Sequence, residues 1–166
     1  PCARGNYMAS TTFSGPLTSN NGFISGSGSV VTLSSDTTLT SASHAGRVLL
    51  LDKTDGLTVT LPAASGSGNV YKFFVKTTIT SNNYVIQVAS SDDTMSGVAV
   101  VANDGGDGAS IFETLAASDT ITLDGSTTGG ILGGMVELQD LYSGKYLVKI
   151  HQSATGSEAT PFSAAV

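Results

Sequence analysis

An all-β protein, an antiparallel β-sandwich or barrel of jelly-roll type with an extended N-terminal arm, is what this sequence predicts. The first reason is composition. Only 12% of residues are charged, where about 25% is ordinary for soluble domains, and Gly, Ser and Thr stand where Glu and Lys would otherwise sit. The second reason is that Val, Ile and Thr, which suit a pleated surface, recur throughout. The third is punctuation: turn residues break the chain about every eight to twelve residues into short runs, a spacing typical of sandwiches and barrels. No segment carries a 3.6-residue apolar period long enough for a helix of three turns.

Taken in order, strands are expected from residue 30 onward. Residues 30–33 and 37–40 come first. Val48-Leu49-Leu50-Leu51, within 47–52, is a nearly continuous apolar run suited to a buried strand. Asp55-Gly56 comes next and reads as a hairpin turn. Leu57, Val59 and Leu61 alternate with Thr58 and Thr60, a clean period of two that Pro62 closes. In 70–77, Tyr71, Phe73 and Val75 share a core face, while Lys72, Phe74 and Lys76 share the other. Phe74, flanked by lysines, is therefore a candidate contact residue, with a second buried layer as its other reading. Tyr84, Ile86 and Val88 form the next inward set. Residues 98–101, 111–115, 120–123 (Ile121 and Leu123 inward) and 135–138 are the later short strands. In 146–151, Tyr146, Val148 and Ile150 point inward, and Leu147, Lys149 and His151 outward. No fixed sequence period is visible, which disfavours a propeller or β-helix.

Residues 1–29 differ in style. Phe13, Leu17, Phe23 and Ile24 lie among Gly, Ser, Asn and Pro16 without periodicity, and Ser25-Gly26-Ser27-Gly28-Ser29 reads as a flexible joint. The composition also fits a loose tail, but four large apolar residues need a surface to bury against. These residues therefore predict a docking arm, with Phe13, Pro16, Leu17, Phe23 and Ile24 as its contact residues. Residues 30–166 form the body. Met8-Ala9-Ser10 resembles a natural start, and residues 1–7 an upstream extension, a processing product or a cloning remnant.

Chemistry is sparse. The net charge of −6 and the seven scattered basic residues argue against nucleic-acid and membrane-surface partners. No apolar run of about 18 residues suggests a membrane span. Cys2, the only cysteine, excludes an internal disulfide. His44 and His151 are isolated, no Gly-x-Ser-x-Gly elbow accompanies them, and an activated nucleophile lacks its base. Two histidines and one cysteine are too few for a zinc site. The loop 103–108 has three side-chain oxygens, but its spacing fails the calcium-loop pattern, so an exposed turn is expected. No catalytic residue, cofactor or metal is expected, and an enzyme is disfavoured.

Several segments resemble one group of proteins. Met8-Ala9-Ser10-Thr11-Thr12-Phe13-Ser14-Gly15-Pro16-Leu17 through Phe23 is similar to the opening arm of bacteriophage capsid decoration (cement, head-stabilising) proteins. Gly46-Arg47-Val48-Leu49-Leu50-Leu51-Asp52, then Val59-Thr60-Leu61-Pro62-Ala63, resembles their central hairpin. Tyr71-Lys72-Phe73-Phe74-Val75 and Ser81-Asn82-Asn83-Tyr84-Val85-Ile86 resemble their later strands. Gly144-Lys145-Tyr146-Leu147-Val148 through Phe162 is similar to their C-terminal end. Residues 1–7 depart from the pattern. The resemblance implies a structural virion protein on the outer capsid surface, partnered by the major capsid protein and stabilising contacts between its subunits. It also implies a symmetric oligomer, a homotrimer at three-fold positions or else a dimer; the outward, apolar Phe74 and Leu147 would suit its subunit contacts. The family has no catalytic residues to carry over. A different reading is the receptor-binding or adhesion head of a phage fibre, which would use loops 103–108 and 125–134.

Overall fold

The computed structural model describes residues 30–105 and 107–166. The arm, with Phe13, Pro16, Leu17, Phe23 and Ile24, lies outside the described residues, as does Cys2. The described chain is all-β but for one four-residue helix, α1 (Ser41–His44). Thr40 caps it, its hydroxyl accepting from the Ser43 N–H.

Two mixed sheets face each other across a single core. The larger has seven strands: β1 (Val30–Leu33), β3 (Val48–Leu51), β5 (Val70–Val75), β10 (Met135–Tyr142), β11 (Lys145–Ser153), β7 (Thr94–Ala102) and β8 (Ala109–Glu113), in that spatial order. The smaller has five: β12 (Phe162–Ser163), β9 (Thr120–Leu123), β6 (Tyr84–Gln87), β4 (Leu57–Thr60) and β2 (Thr37–Thr38). The core is built as the period of two requires. Leu49, Leu51, Tyr71, Phe73, Val75, Leu138, Tyr146, Val148 and Ile150 enter it from one sheet, and Leu57, Val59, Tyr84, Ile86, Ile121 and Leu123 from the other. Neither sheet closes into a barrel.

The expectation of antiparallel pairing holds for only half the molecule. Five strand pairings are antiparallel and five are parallel. From β1 to β6 the chain alternates between sheets, so β1, β3 and β5 stack in parallel in one, and β2, β4 and β6 in the other. This half coils like a short solenoid. It has no fixed sequence period because its turns differ in length: Val30, Val48 and Lys72 stack at intervals of 18 and 24 residues.

Asp55-Gly56 is consequently no hairpin. It carries the chain from β3 in one sheet to β4 in the other. Gly56 has φ 75°, and a Cβ there would lie 2.3 Å from the Asn83 carbonyl oxygen, so close passage of the β5–β6 connection demands glycine. Antiparallel order enters later, in the β7–β8 and β10–β11 hairpins.

Several strands differ from expectation: β8 (Ala109–Glu113) lies two residues before the expected 111–115, β10 runs on to Tyr142, and β2 ends at Thr38. Strand β7 begins at Thr94, four residues before the expected run, because Ser96 and Gly97 interrupt its apolar pattern. Strand β12 falls outside the expected set, since Phe162 alone supplies its apolar signal.

Candidate interaction surface

The two outer faces differ in chemistry. On the five-stranded sheet, Thr38, Thr60, Gln87, Thr120 and Ser163 align in one row, and Thr58, Val85 and Thr122 in the next. That face is hydroxyl-rich and uncharged.

The outer face of the seven-stranded sheet is apolar with one charged row. Strand register fixes both rows. Leu50, Phe74, Met135, His151, Val100 and Ile111 lie side by side across six strands. Beside them run Val48, Lys72, Glu137, Lys149, Val98 and Glu113. Ile111 is 69% exposed and Met135 50%, with Val48 and Val98 also exposed. Thus the Val48–Leu51 run is not buried on both sides: Leu49 and Leu51 fill the core, while Val48 and Leu50 face outward.

Phe74 and Leu147 both lie on this face and both are half-buried. Phe74 stands between Leu50 and Met135, and Leu147 between Gln139 and Ser96. Their neighbours shield part of each side chain, so they belong to a continuous surface. His151 is exposed beside Lys149, as the alternation in its strand predicts.

Glu137 is the electrostatic centre of the face. Its carboxylate is 3.3 Å from the Lys72 ammonium and 3.4 Å from that of Lys149. Partial burial raises its pKa, but hydrogen bonds from Lys72 and Lys149 outweigh this and hold it below the ordinary value.

Other acidic groups serve as internal anchors. Asp140 is buried and accepts five hydrogen bonds: the Ser65, Gly66 and Ser67 N–H groups at 3.0, 2.7 and 3.0 Å, and the Ser65 and Ser67 hydroxyls at 3.0 and 2.6 Å. Burial works against its charge, yet the bonds from Ser67, Gly66 and Ser65 lower its pKa to about 2. Asp124 likewise accepts from the Ser126 and Thr128 N–H groups and the Thr127 hydroxyl. Burial raises its pKa less than these bonds lower it. Asp93 accepts from the Ala64 N–H, and Asp119 from the N–H groups of Ala165 and Val166. Each carboxylate ties one loop or terminus to the sandwich.

The loops raised as candidate binding regions are engaged in the same way. In 103–108, the Asn103 carboxamide oxygen accepts from the Ser110 hydroxyl, and the Asp104 carboxylate from the Gly156 N–H. In 125–134, the Gly130 N–H donates to the Gln152 side chain and the Leu132 N–H to the Thr78 hydroxyl. His44 is held locally, its Nδ1 3.0 Å from the Thr40 N–H. Among the described residues, no group of three or more His, Cys, Asp or Glu is placed to hold a metal, and no helix is long and apolar enough to cross a membrane.

Alternation along each strand identifies the faces but not this surface as a whole. It singles out Phe74 and Leu147 one at a time. Leu50, Met135, Val100 and Ile111 join them only through pairings that sequence alone does not specify. No family model, curated protein or solved structure matches the chain.

Proposed function

We propose that this protein is a structural component of a phage virion that binds the outer surface of the capsid and stabilises contacts between major capsid protein subunits. The observation that carries the reading is the way its polar groups are used. Asp93, Asp119, Asp124 and Asp140 are committed to fixing loops and the C-terminus, leaving a stiff sandwich with a broad apolar face for protein contact. A cement role asks for such a body, since many weak copies on a fixed lattice add up through avidity. The likeness of the N-terminal and central segments to decoration proteins supports the same reading. In it, the arm contacts grooves of the shell through Phe13, Pro16, Leu17, Phe23 and Ile24.

Rebinding to cognate capsids stripped of the protein tests this. The full chain should saturate a fixed number of lattice sites and raise the temperature at which the shell opens. A chain lacking residues 1–29 should bind far more weakly. Absence of binding by the full chain contradicts the proposal.

A further inference from the structure

We propose that the outer face of the seven-stranded sheet packs against the same face of a second copy, about a two-fold axis running along the strands between β10 and β11. This inference does not depend on the capsid reading.

The first argument is charge. Across the face the charged row reads Val48, Lys72, Glu137, Lys149, Val98, Glu113, two positive and two negative groups. A two-fold axis parallel to the strands keeps each row opposite its own copy but reverses strand order. Placed between β10 and β11, it sets Glu137 opposite the second copy's Lys149, and Lys149 opposite its Glu137. Lys72 then meets the second copy's Val98 and Glu113 its Val48, which leaves Lys72 and Glu113 one strand apart across the interface. No like charges oppose each other. An axis on β10 itself would bring Glu137 against Glu137 and Lys72 against Lys149. A two-fold axis across the strands faces each strand with its own copy: on the charged row it would bring Glu137 against Glu137, and between the rows it would set Glu137 on Met135.

The second argument is the apolar row. The same axis sets Leu50 opposite Ile111, Phe74 opposite Val100, and Met135 opposite His151. It therefore covers Ile111, the most exposed large side chain of the face. An axis between β5 and β10 also matches Glu137 to a lysine, Lys72, but leaves Ile111 uncovered.

The third argument is size. The six strands that overlap about this axis, β3, β5, β10, β11, β7 and β8, hold 4, 6, 8, 9, 9 and 5 residues, each covering about 16 Å² of sheet at about 3.3 Å rise and about 4.8 Å strand spacing. The footprint is about 650 Å² per partner, at the lower end of the about 600–1,000 Å² that stable interfaces bury on each side. Facing sheets stack about 10 Å apart, a gap that Lys and Glu side chains bridge. The resulting arrangement is a dimer, the second of the two oligomers that the resemblance to decoration proteins implies.

Sedimentation equilibrium of the full chain, with E137K and K149E variants, tests the inference. The wild type should sediment at twice the 16.7 kDa chain mass. Each single variant sets like charges opposite each other and should weaken association by at least about tenfold, a change of the size expected for close interfacial charges. Equimolar E137K and K149E should recover the dimer, because each supplies the charge the other lacks. Circular dichroism confirms that both variants fold. A monomeric wild type, variants that associate as wild type does, or a mixture that stays dissociated overturns the proposal. Recovery of E137K by K72E in place of K149E overturns this register. The assay contains no capsid, so its failure leaves the capsid reading standing, and loss of capsid binding leaves the dimer standing.

Discussion

A Cβ added to Gly97 would lie 1.8 Å from the carbonyl oxygen of Val148 on the neighbouring parallel strand. Gly97 has φ 155°, and its N–H and carbonyl both meet the Thr114 hydroxyl. The β7–β11 ladder, nine residue pairs long, thus depends on a missing side chain near its centre. Gly97→Ala should destabilise the fold by more than about 3 kcal/mol, the range of strained backbone and overpacked cores. Urea unfolding of the two chains measures it. A loss below about 1 kcal/mol would contradict the close approach.

Asp140 makes stability depend on acid. Its folded pKa, about 2, lies below the ordinary 3.8. A depressed carboxylate stabilises the fold fully above its unfolded pKa, and this contribution disappears as pH falls from about 4 toward 2. At about 1.4 kcal/mol per unit it amounts to about 2 kcal/mol. Asp140→Asn should lower stability at pH 7 by about that much and flatten the acid limb of the stability curve. Thermal unfolding from pH 2 to 7 for both chains is the check, with an unchanged acid limb as the opposing result.

Leu49 and Leu50 are neighbours with different fates. Leu49 is fully buried and Leu50 faces outward, half-buried, in the apolar row. Leu49→Ala should cost about 2–5 kcal/mol, the range for emptying a core site. Leu50→Ala should cost less than about 1.5 kcal/mol in the monomer, in keeping with partial burial. Equal losses would mean that the outer face is covered within one chain.

Glu137 contributes little to the fold of a single chain. Its partners Lys72 and Lys149 are more than half exposed. Exposed pairs are worth about 0–1 kcal/mol. Glu137→Gln should therefore change the unfolding free energy of monomers by less than about 1 kcal/mol, and high salt should erase the difference. A larger, salt-insensitive loss would place the carboxylate in the fold's own framework.

Strand phase was legible in the sequence because side chains alternate. Tyr71, Phe73 and Val75, or Tyr146, Val148 and Ile150, announce a buried face by spacing alone. Strand partnership was not legible. A period of two says which way a residue points and nothing about its neighbour across the sheet. Asp55-Gly56 therefore looked like a hairpin, although the same left-handed glycine also serves an arch between sheets. The parallel stacking of β1, β3 and β5 left no sequence period because its turns differ in length. The outer apolar face was legible only at Phe74 and Leu147, since its remaining apolar residues come from strands far apart in the chain.

Electron cryomicroscopy of the virion, with and without this protein, tests the central claim most directly. The account predicts density of the size of the sandwich on the outside of the shell, repeated at fixed lattice positions and lost when the protein is absent. Density confined to fibre tips, or a shell indistinguishable in the two samples, would contradict it.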